Sequence, residues 1–144
     1  MSNNNLDKYN KLKRIFSKFL YVENKNGKGS LTVKGNQINI RYLKNKHPLL
    51  LEYATYCCID ALNISKKHTI STYDIYIFVD GWEIKNFSLK LFKYLNENLS
   101  NAFEDCVDNI YIHNKSKVFN TVFKLIKTIL DPETSEKMKL IRSY

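Results

Sequence analysis

Between Asn109 and Ile141 the hydrophobic pattern changes period twice. Ile110, Tyr111 and Ile112 form an unbroken apolar run, the pattern of a strand covered on both faces. From Ser116 to Leu130 the period is helical. Val118, Phe119, Val122, Phe123, Leu125, Ile126, Ile129 and Leu130 fall on one side, with Lys117, Asn120, Thr121, Lys124, Lys127 and Thr128 on the other. Pro132 closes that helix, because the residue before a proline is pushed out of the α region. Asp131-Pro132 then fits the N-cap and first turn of a short helix running to Lys137, and a last strand follows around 139–142.

The remaining elements come from the same patterning. Residues 6–20 form an amphipathic helix with Leu6, Tyr9, Leu12, Phe16, Phe19 and Leu20 on one arc and Lys8, Lys11, Arg14 and Lys18 opposite. Such a helix either docks on a sheet or lies in a membrane interface. Residues 24–29 read as a loop, after which Leu31–Lys34 and Gln37–Ile40 alternate about Gly35-Asn36, a two-residue hairpin signal. Leu49 to Ile64 is so apolar that the helix it forms is buried in its own core or lines an apolar cavity. Tyr73–Val79 is a second strand apolar on both faces, and a helix over 88–106 leads back to Ile110. Strand, helix, strand at these lengths is a βαβ unit with a right-handed crossover. The fold class expected is α/β, a mixed, largely parallel sheet flanked by helices. Residues 6–144 make one domain and 1–5 a disordered start.

Composition narrows the function more by exclusion than by naming. A chain of 144 residues can bury one sizeable core, and its hydrophobic fraction of 44% argues against disorder. Its apolar runs are too short to span a bilayer, and Met1 is followed by Ser2-Asn3-Asn4-Asn5 rather than a leader, so a cytoplasmic protein, peripheral to membranes, is expected. Asn, Lys, Ile and Tyr enrichment resembles the proteins of AT-rich genomes, large DNA viruses among them. The net charge of +9 is concentrated at the ends: residues 1–28 carry seven Lys/Arg against two acids, residues 29–108 nine against nine, residues 109–144 seven against three. That pattern suits an anionic surface such as a membrane and, less specifically, nucleic acid, although a solvated lysine-rich surface accounts for most of it.

The chemistry-bearing residues do not assemble a catalytic motif. The four glycines fit no phosphate-binding loop, and His47, His68 and His113 are far apart without an i+4 partner for zinc. Cys57, Cys58 and Cys106 read as small core hydrophobes, His113 as a hydrogen-bonded core histidine rather than a base, and a Cys106–His113 hydrolase pair has nothing to support it. The expectation is a non-enzymatic protein without metal or cofactor. Open α/β folds bind ligands at the carboxyl edge of the sheet, and Asp80, Asn114 and the Asp131–Lys137 turn are predicted to meet there.

The wording of the final stretch adds a family resemblance. Tyr111-Ile112-His113-Asn114, the patterned helix after it, and Leu130-Asp131-Pro132 with Thr134 and Lys137 resemble the closing segment of the CRAL-TRIO domain, the lipid-binding fold of phosphatidylinositol-transfer proteins. The resemblance implies that Lys137 and Thr134 contact an inositol phosphate, and places Asp105 where an acidic residue helps hold the headgroup. Tyr53, Cys57, Phe78, Phe119 and Phe123 become candidate lining for the acyl chains. It further implies a shortened member, lacking a gate helix beyond the last strand and most of the N-terminal lobe, whose uncovered apolar side a homodimer or protein partner would close. The reading that follows is binding, transfer or presentation of an anionic phospholipid such as a phosphoinositide. Its alternative is a protein-interaction scaffold that holds no lipid, with non-specific nucleic-acid binding third.

Overall fold

A computed structural model describes residues 3–103, 105–113 and 117–141, with the side chains of 84 and 117–119 left aside. Helix α1 (Asn3–Phe16) takes in residues 3–5, expected to be disordered, and stops short of Leu20. Its basic arc faces water while Tyr9, Leu12 and Phe16 are buried. Strands β1 (Leu20–Lys25) and β2 (Lys28–Lys34) then form an antiparallel hairpin, paired from Leu20↔Val33 to Lys25↔Lys28. Its two-residue turn is Asn26-Gly27, both at positive φ (56° and 92°), which matches the right-handed twist of the strands it joins. The hairpin expected about Gly35-Asn36 is therefore corrected. Gly35–Gln37 is a single 3₁₀ turn, where a Cβ on Gly35 would come within 2.9 Å of the Phe78 carbonyl oxygen, and the chain goes on to the short helix α2 (Ile40–Leu43) instead of returning.

Helix α3 (His47–Lys66) begins with Pro48 in its first turn, and strand β3 (Tyr73–Phe78) follows it. Helix α4 (Leu89–Phe103), strand β4 (Val107–His113), helix α5 (Lys117–Ile129), the single-turn helix α6 (Pro132–Glu136) and strand β5 (Met138–Ile141) complete the chain. The five-stranded sheet has the order β1-β2-β3-β4-β5, parallel from β2 onward. Fold class and sheet type are thus as expected.

Every parallel crossover steps one strand in the same direction. Right-handed crossovers repeated without reversal put α3, α4 and α5 on one face of the sheet. Leu20, Val22, Leu31, Val33, Ile75, Ile77, Ile110 and Ile112 point toward those helices and form two apolar clusters. The first, around Phe16, Tyr53, Cys57 and Ala61, joins α1, α3 and β1–β3. The second, around Val79, Trp82, Ile110, Ile112, Val122 and Ile126, lies beneath α5.

The opposite face carries no described helix, which corrects the expectation that β3 and β4 are covered on both sides. An apolar-looking run misled here because tyrosine, phenylalanine and histidine can cover one another. Tyr76 stacks on Tyr111 at 4.9 Å and Phe78 on His113 at 4.5 Å, and the ammonium groups of Lys25, Lys34 and Lys139 lie over Tyr76, Phe78 and Tyr111.

Candidate functional site at the amino edge of the sheet

Because β5 runs parallel to β4, the segment entering it lies beside the beginning of β4. The Asp131–Lys137 turn is therefore at the amino edge, not the carboxyl edge where Asp80 sits. Asn114, expected to join them, lies outside the described residues. The backbone holds the turn firmly. Asp131 caps α6 by accepting from the Thr134 N–H at 2.6 Å, the Lys137 N–H donates to the Thr134 carbonyl, and the Ile110 N–H donates to the Lys137 carbonyl at 2.9 Å. The Thr134 N–H, aided by its hydroxyl, holds the Asp131 carboxyl below its ordinary range.

A second polar assembly continues from this turn along the same edge. The β3–β4 register slips between Tyr73 and Ile75, so that Asp74 faces two residues of β4 rather than one, and its carboxylate accepts from the Asn109 backbone N–H and side-chain amide, both at 3.1 Å. Lys28 reaches Asp74 at 3.0 Å and Asp108 at 2.6 Å, while Lys139 donates to the Asn109 side-chain oxygen at 2.6 Å. Burial alone would lower the Lys28 ammonium, but its two carboxylate partners outweigh that and raise it. The Lys28 hydrogen bond holds Asp108 below its ordinary value, with Lys139 and Lys137 adding to the effect. The edge is a rim on which Lys28, Lys137 and Lys139 alternate with Asp74, Asp108 and Asp131, suited to a ligand with a negative phosphate and hydroxyls that donate to a carboxylate.

Of the headgroup candidates, Thr134 and Lys137 share this rim, and Asp105 is exposed in the turn leading into β4, at the same edge. Two carboxylates are near enough to feel Lys137: Asp131, which caps α6, and Asp108, which sequence reasoning passed over. An acidic residue at the start of a parallel strand beside the lysine preceding the next strand was the available signal. The apolar candidates separate. Tyr53 and Cys57 are wholly buried in the first cluster, where the Tyr53 hydroxyl donates to the Leu20 carbonyl at 2.7 Å and burial pushes the Cys57 thiol up to about 12. Phe78 points to the helix-free face, its ring on His113. Phe123 packs against the second cluster, and the side chain of Phe119 lies outside the described residues. α5 approaches no described element as closely as α3 approaches β1, β2 and α1.

The catalytic alternatives separate in the same way. Cys106 and His113 lie near opposite ends of β4, roughly 20 Å apart at about 3.3 Å per strand residue, too far for a nucleophile and its base. His113 is stacked rather than buried in the core, and its Nε2 has no hydrogen-bond partner among the described residues. Desolvation lowers its pKa, against the pull of Asp80 and with the push of Lys25. Among the described residues no cluster of three His, Cys, Asp or Glu could hold a metal, and no helix is long and apolar enough to cross a membrane.

A one-handed βα coil with its helices on one face, a helix-borne apolar seam and a rim of lysines and carboxylates where that seam ends define an α/β binding domain. The sequence pattern of the CRAL/TRIO domain matches residues 16–144, and the chain belongs to that family of lipid-binding domains. The crystal structure of Sfh5 superposes with a TM-score of 0.66 at 15% identity, covering 95% of this chain and 59% of its own length, a likeness of fold. No curated protein matches the chain in sequence.

Proposed function

We propose that this domain binds an anionic phospholipid, a phosphoinositide in the leading case, without performing chemistry on it. The observation that carries the reading is continuity. One segment supplies the apolar cover, the second cluster beneath α5, and then runs without interruption into the Asp131–Lys137 turn on the rim of lysines and carboxylates. A headgroup phosphate would sit at Lys137, its hydroxyls donating to Asp108 or Asp105. Thr134 would release its hydroxyl from Asp131 to join them. The acyl chains would lie between α5 and Ile110 and Ile112, lined by Phe123. Each CH₂ buried there contributes about 0.8 kcal/mol, which offsets the apolar contact α5 loses when it lifts from the sheet.

Native mass spectrometry of the purified protein, followed by solvent extraction, tests the reading. Near-stoichiometric phospholipid is the expected result. In a vesicle-binding assay Lys137→Glu is expected to weaken phosphoinositide binding by roughly tenfold or more, since a charge-assisted contact is replaced by a repulsive one, at an unchanged unfolding midpoint. Undiminished binding overturns the headgroup assignment. A second reading, a protein-docking scaffold, is favoured by the helix-free face with its Tyr76, Phe78, Tyr111 and His113 row. A protein that stays lipid-free after incubation with phosphoinositide vesicles would select it.

A further inference from the structure

At the carboxyl edge, roughly 20 Å along the strands from Lys137, lies a cleft of about 970 Å³. Its walls are the Gly35–Gln37 turn after β2, α2, and the first turns of α3 and α4. They are tied together by one amide. Asn86, 5% exposed, donates to the carbonyls of Ile38 at 2.8 Å and Asn36 at 3.4 Å, and accepts from the Glu83 N–H at 2.8 Å. Lys18, Arg41, Lys44, Lys85 and Lys90 line the cleft with His47, and among the described residues no carboxylate does. Lys85 has Glu83 at 3.4 Å, whereas Lys18, Arg41, Lys44 and Lys90 make no ion pair among the described residues.

Four of these five cations come from residues 29–108, which carry as many acids as bases, so the composition of that stretch does not account for them. Four of those nine acids are engaged elsewhere, Asp74 and Asp108 on Lys28, Glu52 on Lys8 and Asp60 on the Tyr9 hydroxyl, and Glu83 meets the cleft through Lys85 alone. The 20-residue helix α3 opens into the cleft at His47 with no side-chain cap and no acid in its first turn, so the positive end of its dipole adds to the cationic side chains.

We propose that this cleft binds a small anion carrying two or more phosphate groups. Arg41 offers a planar fork to one phosphate while the lysines act as point charges for the others. The volume suits a ligand of that size, and the same chemistry fits a polyphosphorylated lipid headgroup or a free polyphosphate. The assignment is independent of the lipid reading, since it uses neither Lys137 nor α5.

The test is titration calorimetry of the whole chain with inositol hexakisphosphate at physiological salt, beside flotation with phosphatidylcholine vesicles containing phosphatidylinositol bisphosphate. Binding is expected to weaken by roughly tenfold or more in the double variant Arg41→Glu/Lys44→Glu, and in a second pair, Lys18→Ala/Lys90→Ala. Lys11→Glu, which reverses an exposed charge on α1 away from the cleft, is expected to leave it unchanged. Flotation reversed by free hexakisphosphate identifies the headgroup as the source, and hexakisphosphate binding without flotation identifies a soluble polyphosphate. No binding of either probe overturns the proposal, as does equal binding in both double variants. A single-stranded oligonucleotide bound more tightly than hexakisphosphate, and lost in the same variants, overturns it in favour of nucleic acid.

Discussion

The tightest packing constraint in the molecule sits at Gly29. A Cβ built there would meet the carbonyl oxygen of Ala61 at 1.9 Å, and the Gly29 N–H already donates to the buried Ser65 hydroxyl at 2.8 Å. The atom in the way is helix backbone, so no rotamer change relieves the clash, and α3 must move off the sheet. Gly29→Ala is expected to cost about 3 kcal/mol, the upper end for overpacking, and urea unfolding will measure it. A cost below about 1 kcal/mol would show that α3 is not seated as described. Asp108 offers a milder test with a defined pH signature. Its folded pKa lies below the unfolded value near 3.8, so its contribution is present above that value and lost as pH falls through the folded one. Asp108→Asn should remove less than about 1 kcal/mol at neutral pH, as half-exposed pairs do, and should flatten the fall in stability below about pH 4. An acid limb as steep as in the unchanged protein would refute the pairing with Lys28.

The elements were legible in the sequence wherever periodicity was long. The stripe of Leu91, Leu95 and Leu99 marked α4, Val122 and Ile126 marked α5, and the Asp131-Pro132 pair marked α6 with the cap the structure forms. What misled was short and degenerate. Asn26-Gly27 and Gly35-Asn36 carry nearly the same local signal, and only a tertiary contact, Gly35 against the Phe78 carbonyl, decides which one turns the chain back. Covered and bare strands were confused for a related reason. Tyr76, Phe78 and Tyr111 count as apolar in a run, yet their rings pair across strands under lysine stems and need no helix above them. The edge that holds Lys137 was derivable from chain order alone, since a turn that leads into a parallel strand lies at the strand's amino end. Asp108, beside it there, was open to the same reasoning as an acid at the start of the preceding parallel strand. The slip in β3–β4 register that turns Asp74 onto Asn109 was not, since pairing irregularities of that kind leave no periodic trace.

At the scale of the whole molecule, the two clusters divide the fold unequally. The first is locked by α1 and α3, by Tyr53 and Tyr73 with their hydroxyls bonded inside it, and by the close seating of α3 on β2. The second is held by α5, whose Leu125 is exposed, and by the four-residue edge strand β5. Stability is therefore expected to be graded rather than uniform, with α5, α6 and β5 opening as one unit at lower free energy than α3 with β2 and β3. Native-state hydrogen exchange at low denaturant will read this directly. The amides of Val122, Ile126 and Leu140 should exchange through an opening well below global unfolding, while those of Tyr53, Cys57 and Ile75 should exchange only with it. The same grading fits a cover that must lift to admit an acyl chain, since displacing α5 would leave the first cluster intact. Exchange of both groups at one common free energy would mean that α5 does not open separately, and lipid entry between α5 and the sheet would then require unfolding the whole domain.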